Sequence, residues 1–220
     1  MNHTFRLGAA TMLAMLLGSY LYTTSASAAE VRDISKVNGG IRISANEQVG
    51  NISSVNGGID LGRGSSAYNI DTVNGGIDLD EGVVISDAET VNGGIRVGDD
   101  VTVNGSLITV NGGIRMGSGT VVRNRVRTVN GKIQLRNTLV REDVQTTNGD
   151  ILLRDGSSVE GDIIIRGKLS WLSRIFRFNH KPPTIYIDSD SSVRGDIHLY
   201  RKANLEIDDG AEVGEIVYHY

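Results

Sequence analysis

Two aspartates occupy the same position in consecutive copies of a repeated motif, and arginines occupy that position in the flanking copies. The aspartates are Asp60 and Asp78, and the arginines are Arg42 and Arg96. If the copies stack as strands, the two carboxyl groups lie about 5 Å apart, a separation suited to a retaining glycosidase. The alternative is a charge-paired ladder in which each aspartate neighbours an arginine, and we favour this second interpretation because the arginines offset the repulsion between the carboxylates.

Other patterns that would indicate catalysis or metal binding are missing from the sequence. It contains no cysteine, so thiolate metal sites and disulfides are excluded. His180, His198 and His219 lack the spacing of a metal-ligand set. Neither a G-x-S-x-G nucleophile elbow nor a P-loop occurs. The sequence therefore predicts no catalytic residue, no cofactor and no metal site.

The residues of this ladder belong to short repeats of 18 or 19 residues. The motif Val-Asn-Gly-Gly-Ile begins at Val37 and recurs at Val55, Val73, Val91 and Val110, and variants begin at Val129 and Thr147. Its seven asparagines are Asn38, Asn56, Asn74, Asn92, Asn111, Asn130 and Asn148. Seven copies in near-constant register indicate a repeat architecture in which each unit stacks on the next.

Apolar and polar residues alternate within each copy, as in Ile41-Arg42-Ile43, which is typical of a strand with one buried face. An Asn-Gly pair once per 18 residues favours one corner per coil over an array of hairpins. We therefore predict an all-β fold, a single parallel β-helix, right-handed, with about 18–19 residues per coil. The asparagines and glycines are expected to supply positive φ at the corner, and the stacked asparagine amides to form a structural ladder.

The first residues predict export. Arg6 precedes an apolar run from Leu7 to Tyr22, and a small-residue stretch ends at Ala28, which is the order of a secretory signal peptide. We assign 1–28 to this signal and expect cleavage after Ala28, since the run is short for a membrane-spanning anchor. The chain would then act in the periplasm or at the cell surface.

The last third of the chain keeps the strand pattern but changes its motif. The coils of residues 29–167 give way to Gly-Asp-Ile sequences at Gly161 and Gly195, and coils resume over residues 184–220. Between them lies a basic, amphipathic insertion, residues 168–183, which predicts a short helix ended by Pro182-Pro183.

The insertion is the candidate binding element of the sequence. Its relevant residues are Trp171, Arg174, Phe176, Arg177 and Phe178. One interpretation is a lid over Leu152 and Ile164, because strands that are apolar on both faces need cover. The other is a helix that binds a membrane surface or a partner protein.

The Val-Asn-Gly-Gly-Ile coils resemble the bacterial exported adhesin-like β-solenoid families over about Val37 to Leu153. The Gly-Asp-Ile motifs and the stretch from Ile207 to Val213 are similar to the coils of bactofilins, which are polymer-forming cytoskeletal β-helices. The first resemblance implies an exported solenoid, and neither family implies catalytic residues.

These features predict a non-enzymatic scaffold or binding protein of the cell envelope or the secreted fraction. Its partner would be an envelope protein, a polysaccharide or a membrane surface. Without the signal, 21 Lys and Arg face 26 Asp and Glu, and this acidic balance argues against nucleic acid. The alternative function is a carbohydrate-active enzyme or a carbohydrate-binding β-helix that uses the outward Asp and Arg residues.

Overall fold

Short strands with one apolar face wind into a solenoid. The computed structural model describes residues 31–167 and 181–220. They form an all-β parallel β-solenoid of about nine turns with about 19 residues per coil, and these two ranges contain no helix. The predicted β-helix and its coil length are therefore confirmed, while its right-handed winding stays a prediction.

Three parallel sheets, which we call A, B and C, form the sides of the solenoid. Sheet A contains β1 (Ile34–Asn38), β3 (Ile52–Asn56), β5 (Asn69–Asn74), β8 (Asp87–Asn92), β11 (Leu107–Asn111), β14 (Val126–Asn130), β17 (Val144–Thr146), β20 (Ile163–Ile165), β23 (Ile197–Leu199) and β26 (Ile216–Tyr218). Sheet B contains β2 (Ile41–Ile43), β4 (Ile59–Leu61), β6 (Ile77–Leu79), β9 (Ile95–Val97), β12 (Ile114–Met116), β15 (Ile133–Arg136), β18 (Ile151–Arg154), β21 (Thr184–Ile187) and β24 (Asn204–Ile207). Sheet C contains β7 (Val84–Ile85), β10 (Thr102–Val103), β13 (Val121–Val122), β16 (Leu139–Val140), β19 (Ser158–Val159), β22 (Ser192–Val193) and β25 (Glu212–Val213).

The strand register places residues of the same type next to each other in successive coils. Ile59 pairs with Ile41 and Ile77 on its two sides, and the same column continues through Ile95 and Ile114. These side chains are buried in a core that runs through the coils. Each coil alone has no interior, so the apolar faces become buried only when the coils stack.

The Asn-Gly pairs form the corner between sheets A and B, but the reason for their glycines differs from the prediction. Positive φ occurs in this corner at Gly39, in the first coil. In the coils that follow, the first glycine is needed for space. A Cβ on Gly75 would lie 2.1 Å from the carbonyl oxygen of Gly57, so the backbone of the preceding coil occupies the room that a side chain would take.

Positive φ is instead concentrated at the corner between sheets B and C. It recurs there at Asn46, Gly64, Gly82, Asp100, Gly119 and Asn137. Asn and Asp are the non-glycine residues that tolerate this region best. The corner that needs left-handed backbone therefore accepts several residue types, and its sequence repeat is harder to see.

A column of buried threonines links sheet A to the Asn-Gly corner. The hydroxyls of Thr72, Thr90, Thr109 and Thr128 donate to carbonyl oxygens of Gly57, Gly75, Gly93 and Gly112 at 2.8–3.0 Å. These bonds satisfy backbone oxygens that face the interior where the chain leaves the sheet. Each threonine thereby ties one coil to the corner of the coil before it.

Gly-Asp-Ile lies at the third corner, between sheets C and A, so it does not replace Asn-Gly. Asp143, Asp162 and Asp196 occupy the residue before the first buried position of a sheet A strand. Each carboxylate Oδ1 accepts the backbone N–H of the same position one coil later, at 2.9–3.1 Å. We call this set the aspartate column.

Candidate functional site

The outward side chains of sheet B form the ladder proposed from the repeats. Arg42 donates from Nη2 to Asp60 Oδ2 at 3.0 Å, and Arg96 donates to both carboxylate oxygens of Asp78, with Nη2 2.7 Å from Oδ2. Asp60 and Asp78 are register partners in adjacent strands. The hydrogen bond and the charge of Asp78 raise the pKa of Arg96, so Arg96 stays protonated.

This arrangement favours a structural interpretation of the two acids. A glycosidase needs two carboxyl groups that face a sugar across its scissile bond. Asp60 and Asp78 instead bind guanidinium groups and lie side by side on one sheet face. An open depression of about 250 Å³ lies nearby, lined by Asp80, Asp99, Arg115 and Arg136 among others, and neither member of the acid pair borders it.

The same face continues with a different chemistry towards the C-terminus. Arg115 donates from Nε to Gln134 Oε1 at 2.9 Å. Tyr186 donates its hydroxyl to Asp208 Oδ2 at 2.7 Å, and the guanidinium carbon of Arg154 lies 5.2 Å from the centre of the Tyr186 ring. The hydrogen bond to Asp208 raises the pKa of the Tyr186 hydroxyl. Tyr186 lies between the buried Ile185 and Ile187 in β21, and the register through Leu152 to Gln134 places it at the ladder position of its coil.

The seven asparagines form an unbroken chain of side-chain hydrogen bonds. From Asn56 onward, the Nδ2 of each asparagine donates to Oδ1 of the asparagine one coil earlier, at 2.8–3.1 Å. The column lies on the surface, because the first six asparagines are exposed and Asn148 is half-buried. Its function in the fold is to hold the coils in register at the corner.

Arg201 closes the C-terminal end of this asparagine column. Its Nη1 donates to Asn148 Oδ1 at 2.7 Å and to the carbonyl oxygen of Thr147 at 3.2 Å. The register of sheet A places Gly167 between Asn148 and Arg201, one coil from each. Because glycine has no side chain, Arg201 reaches across that coil. This cap depends on the fold and has no signature in the repeat.

A second open depression, of about 290 Å³, lies beside this cap. It is lined by Asn148, Gly149, Asp150, Lys181, Pro182, Pro183 and Arg201. Nζ of Lys132 lies 3.8 Å from Oδ2 of Asp150 in the adjacent coil. The depression therefore has both acidic and basic side chains in its lining, from Asp150, Lys181 and Arg201.

The candidate binding residues of the insertion, Trp171, Arg174, Phe176, Arg177 and Phe178, lie outside the described residues. Of the two positions that a lid was expected to cover, Ile164 is buried and Leu152 is half-buried. Over the described ranges, no helix is long and apolar enough to cross a membrane. Within the same ranges, no three His, Asp or Glu residues form a group that could hold a metal ion.

The chain was compared with protein-family models, curated proteins and solved structures, and none of them matches it.

Proposed function

We propose that this protein is exported and serves as a non-enzymatic scaffold that binds an envelope component through the outward face of sheet B. The observation that carries the proposal is the ladder itself. Its carboxylates at Asp60 and Asp78 are already bound by arginines, while those arginine side chains remain largely exposed. Such a face offers donors and charge to a partner without presenting a pair of reactive acids.

Regular spacing supports the choice of partner. Equivalent side chains recur once per coil in strict register, which means about 4.8 Å between neighbours. A polymer with its own repeating polar groups would match such a surface at several points, and weak contacts in series add up through multivalency. A polysaccharide or a repetitive envelope protein fits this description.

Export is tested by locating the mature chain. We expect mass spectrometry of the protein from an envelope or culture fraction to show a chain that begins at Ala29. Deletion of residues 2–28 should keep the protein in the cytoplasm. A full-length chain that stays in the cytoplasm would contradict the proposal at its first step.

Binding is tested by pull-down from envelope fractions with the immobilised mature chain. The variant Arg96→Glu/Arg115→Glu reverses two charges on the sheet B face and should lose the partner. The matched control, Arg123→Glu/Arg125→Glu, makes the same change at exposed residues outside sheet B and should retain it. Equal capture by both variants would remove sheet B from the proposal.

The competing function, a carbohydrate-active enzyme, rests on the adjacency of Asp60 and Asp78. Incubation of the mature chain with envelope polysaccharides should release no fragments. If the wild type releases fragments and Asp60→Asn/Asp78→Asn does not, the enzyme replaces the scaffold as the function of this face.

A further inference from the structure

Two histidines from adjacent coils, which do not occupy the same position of the repeat, meet at the C-terminal end of sheet A. His198 lies in β23, and its register partner in β26 is Val217. His219 follows Val217 by two residues, so its side chain points to the same side of sheet A as that of His198. Nδ1 of His198 lies 3.1 Å from Nε2 of His219, so two ring nitrogens from adjacent coils face each other.

Both rings are held by neighbours. Nε2 of His198 lies 3.5 Å from Asp162 Oδ2, and the other oxygen of Asp162 accepts the backbone N–H of Asp196 at 2.9 Å. His219 stacks on Tyr200, with the ring centres 4.2 Å apart and the planes 6° from parallel. The aspartate column thus fixes the carboxylate, and the carboxylate faces the outer nitrogen of His198.

The distance between the two nitrogens fits a pair of metal ligands. Two imidazole nitrogens at 2.0–2.1 Å from a tetrahedral ion lie about 3.3 Å apart, close to the observed separation. A carboxylate on the far nitrogen of a ligating histidine fixes its tautomer and orients the ring. Asp162 stands in that place, so a proton on Nε2 would leave the Nδ1 lone pair directed at His219.

We propose that His198 and His219 bind a divalent transition-metal ion, zinc in preference to magnesium, because imidazole is a ligand for the former class. Asp162 is a positioning residue that acts through His198. Water fills the remaining coordination positions, since the described residues provide no third acidic or imidazole ligand. The site lies on sheet A, away from the sheet B face, and is independent of the proposed scaffold function.

The competing explanation of the contact is a hydrogen bond between one protonated and one unprotonated ring nitrogen, which needs no metal. Calorimetric titration of the untagged mature chain with zinc chloride distinguishes the two. Metal binding predicts one equivalent of zinc and no heat with magnesium chloride. Histidine side-chain NMR signals of the same sample should shift for two residues.

Variants complete the test. His198→Gln and His219→Gln should each weaken zinc binding by at least tenfold, and Asp162→Asn, which keeps an oxygen for the Asp196 N–H, by about tenfold. His180→Gln makes the matched substitution at a histidine that the proposed site does not use and should bind like the wild type. Circular dichroism verifies that each variant is folded. Absence of stoichiometric binding at millimolar zinc, or undiminished binding in the His198→Gln/His219→Gln double variant, overturns the proposal.

Discussion

The asparagine column and the aspartate column hold neighbouring coils together by different means. An asparagine side chain both donates and accepts, so each member of its column bonds to the next and the pattern can extend over any number of identical coils. An ionised aspartate only accepts, so each member of the aspartate column needs a backbone N–H from the following coil. The first column is exposed and the second is half-buried.

The two columns also respond differently to interruption. Residues 168–183 connect β20 of sheet A to β21 of sheet B in the sequence, and the asparagine column at the corner between these sheets ends at Asn148, where Arg201 caps it. The aspartate column lies at another corner and continues past the insertion, because Asp162 and Asp196 are coil neighbours although they are separated by 34 positions in the sequence. A solenoid can therefore accept an insertion at one corner if another corner maintains the register.

The largest effect is expected where a side chain meets backbone at the Asn-Gly corner. Gly75→Ala places a Cβ 2.1 Å from the carbonyl oxygen of Gly57 and should lower the free energy of unfolding by about 3 kcal/mol. The adjacent Gly76→Ala meets its nearest atom at 3.3 Å and should change it by less than about 1 kcal/mol, since later coils carry Lys132 and Asp150 at this position. Urea denaturation measures both, and equal losses would contradict the steric account.

The second effect concerns the aspartate column. Asp196→Ala removes the acceptor of the Glu215 N–H, which is 2.9 Å away, and should cost about 2 kcal/mol because the bond is charge-assisted. Asp196→Asn keeps an acceptor oxygen and should recover most of that loss. If the asparagine variant were as unstable as the alanine variant, charge or packing would matter more than the hydrogen bond.

The third effect concerns the asparagine column, where the opposite substitution, asparagine to aspartate, tests the need for a donor. Asn92→Ala breaks one bond to Asn74 and one from Asn111, and should cost about 1 kcal/mol because the site is exposed. Asn92→Asp should cost more, since its carboxylate cannot donate and would face the acceptor oxygen of Asn74. Thermal denaturation of the two variants gives the order. A more stable aspartate variant would show that the column does not depend on donors.

The smallest effect concerns Asp71, an acid of the N-terminal coils that belongs to neither column. Burial raises its pKa to about 6, and the nearby carboxylates of Glu89 and Asp87 add to this. A raised pKa means that the folded state binds the proton more tightly than the unfolded state, so ionised Asp71 destabilises the fold above pH 6, and this cost disappears as the pH falls towards 4.

Asp71→Asn should therefore stabilise the protein at pH 7 by up to about 1 kcal/mol, a value reduced for partial exposure, with no gain at pH 4. Denaturant midpoints at the two pH values provide the measurement. Asp60→Asn is the control, because Asp60 binds Arg42 and its substitution should not stabilise at pH 7. A gain for Asp71→Asn that is the same at both pH values would exclude titration as its cause.

Much of the ladder chemistry followed from the repeat, since residues at the same position of consecutive coils must be neighbours once the coils stack. Arg42, Asp60, Asp78 and Arg96 are such residues, and their pairing required only the register. The reason for the glycines did not follow. A repeated Asn-Gly is equally consistent with positive φ and with close backbone approach, and only the position of Gly57 relative to Gly75 distinguishes them.

The sequence by itself determined the strand period, the coil length and the column of asparagines, because these depend on contacts that recur at a fixed spacing. Tertiary structure alone decided the contacts that cross the repeat. Arg201 reaches Asn148 over a coil that contributes only Gly167, and His219 meets His198 from two residues beyond its register partner. Such contacts depend on the lengths and directions of individual side chains, which a periodic sequence pattern does not specify.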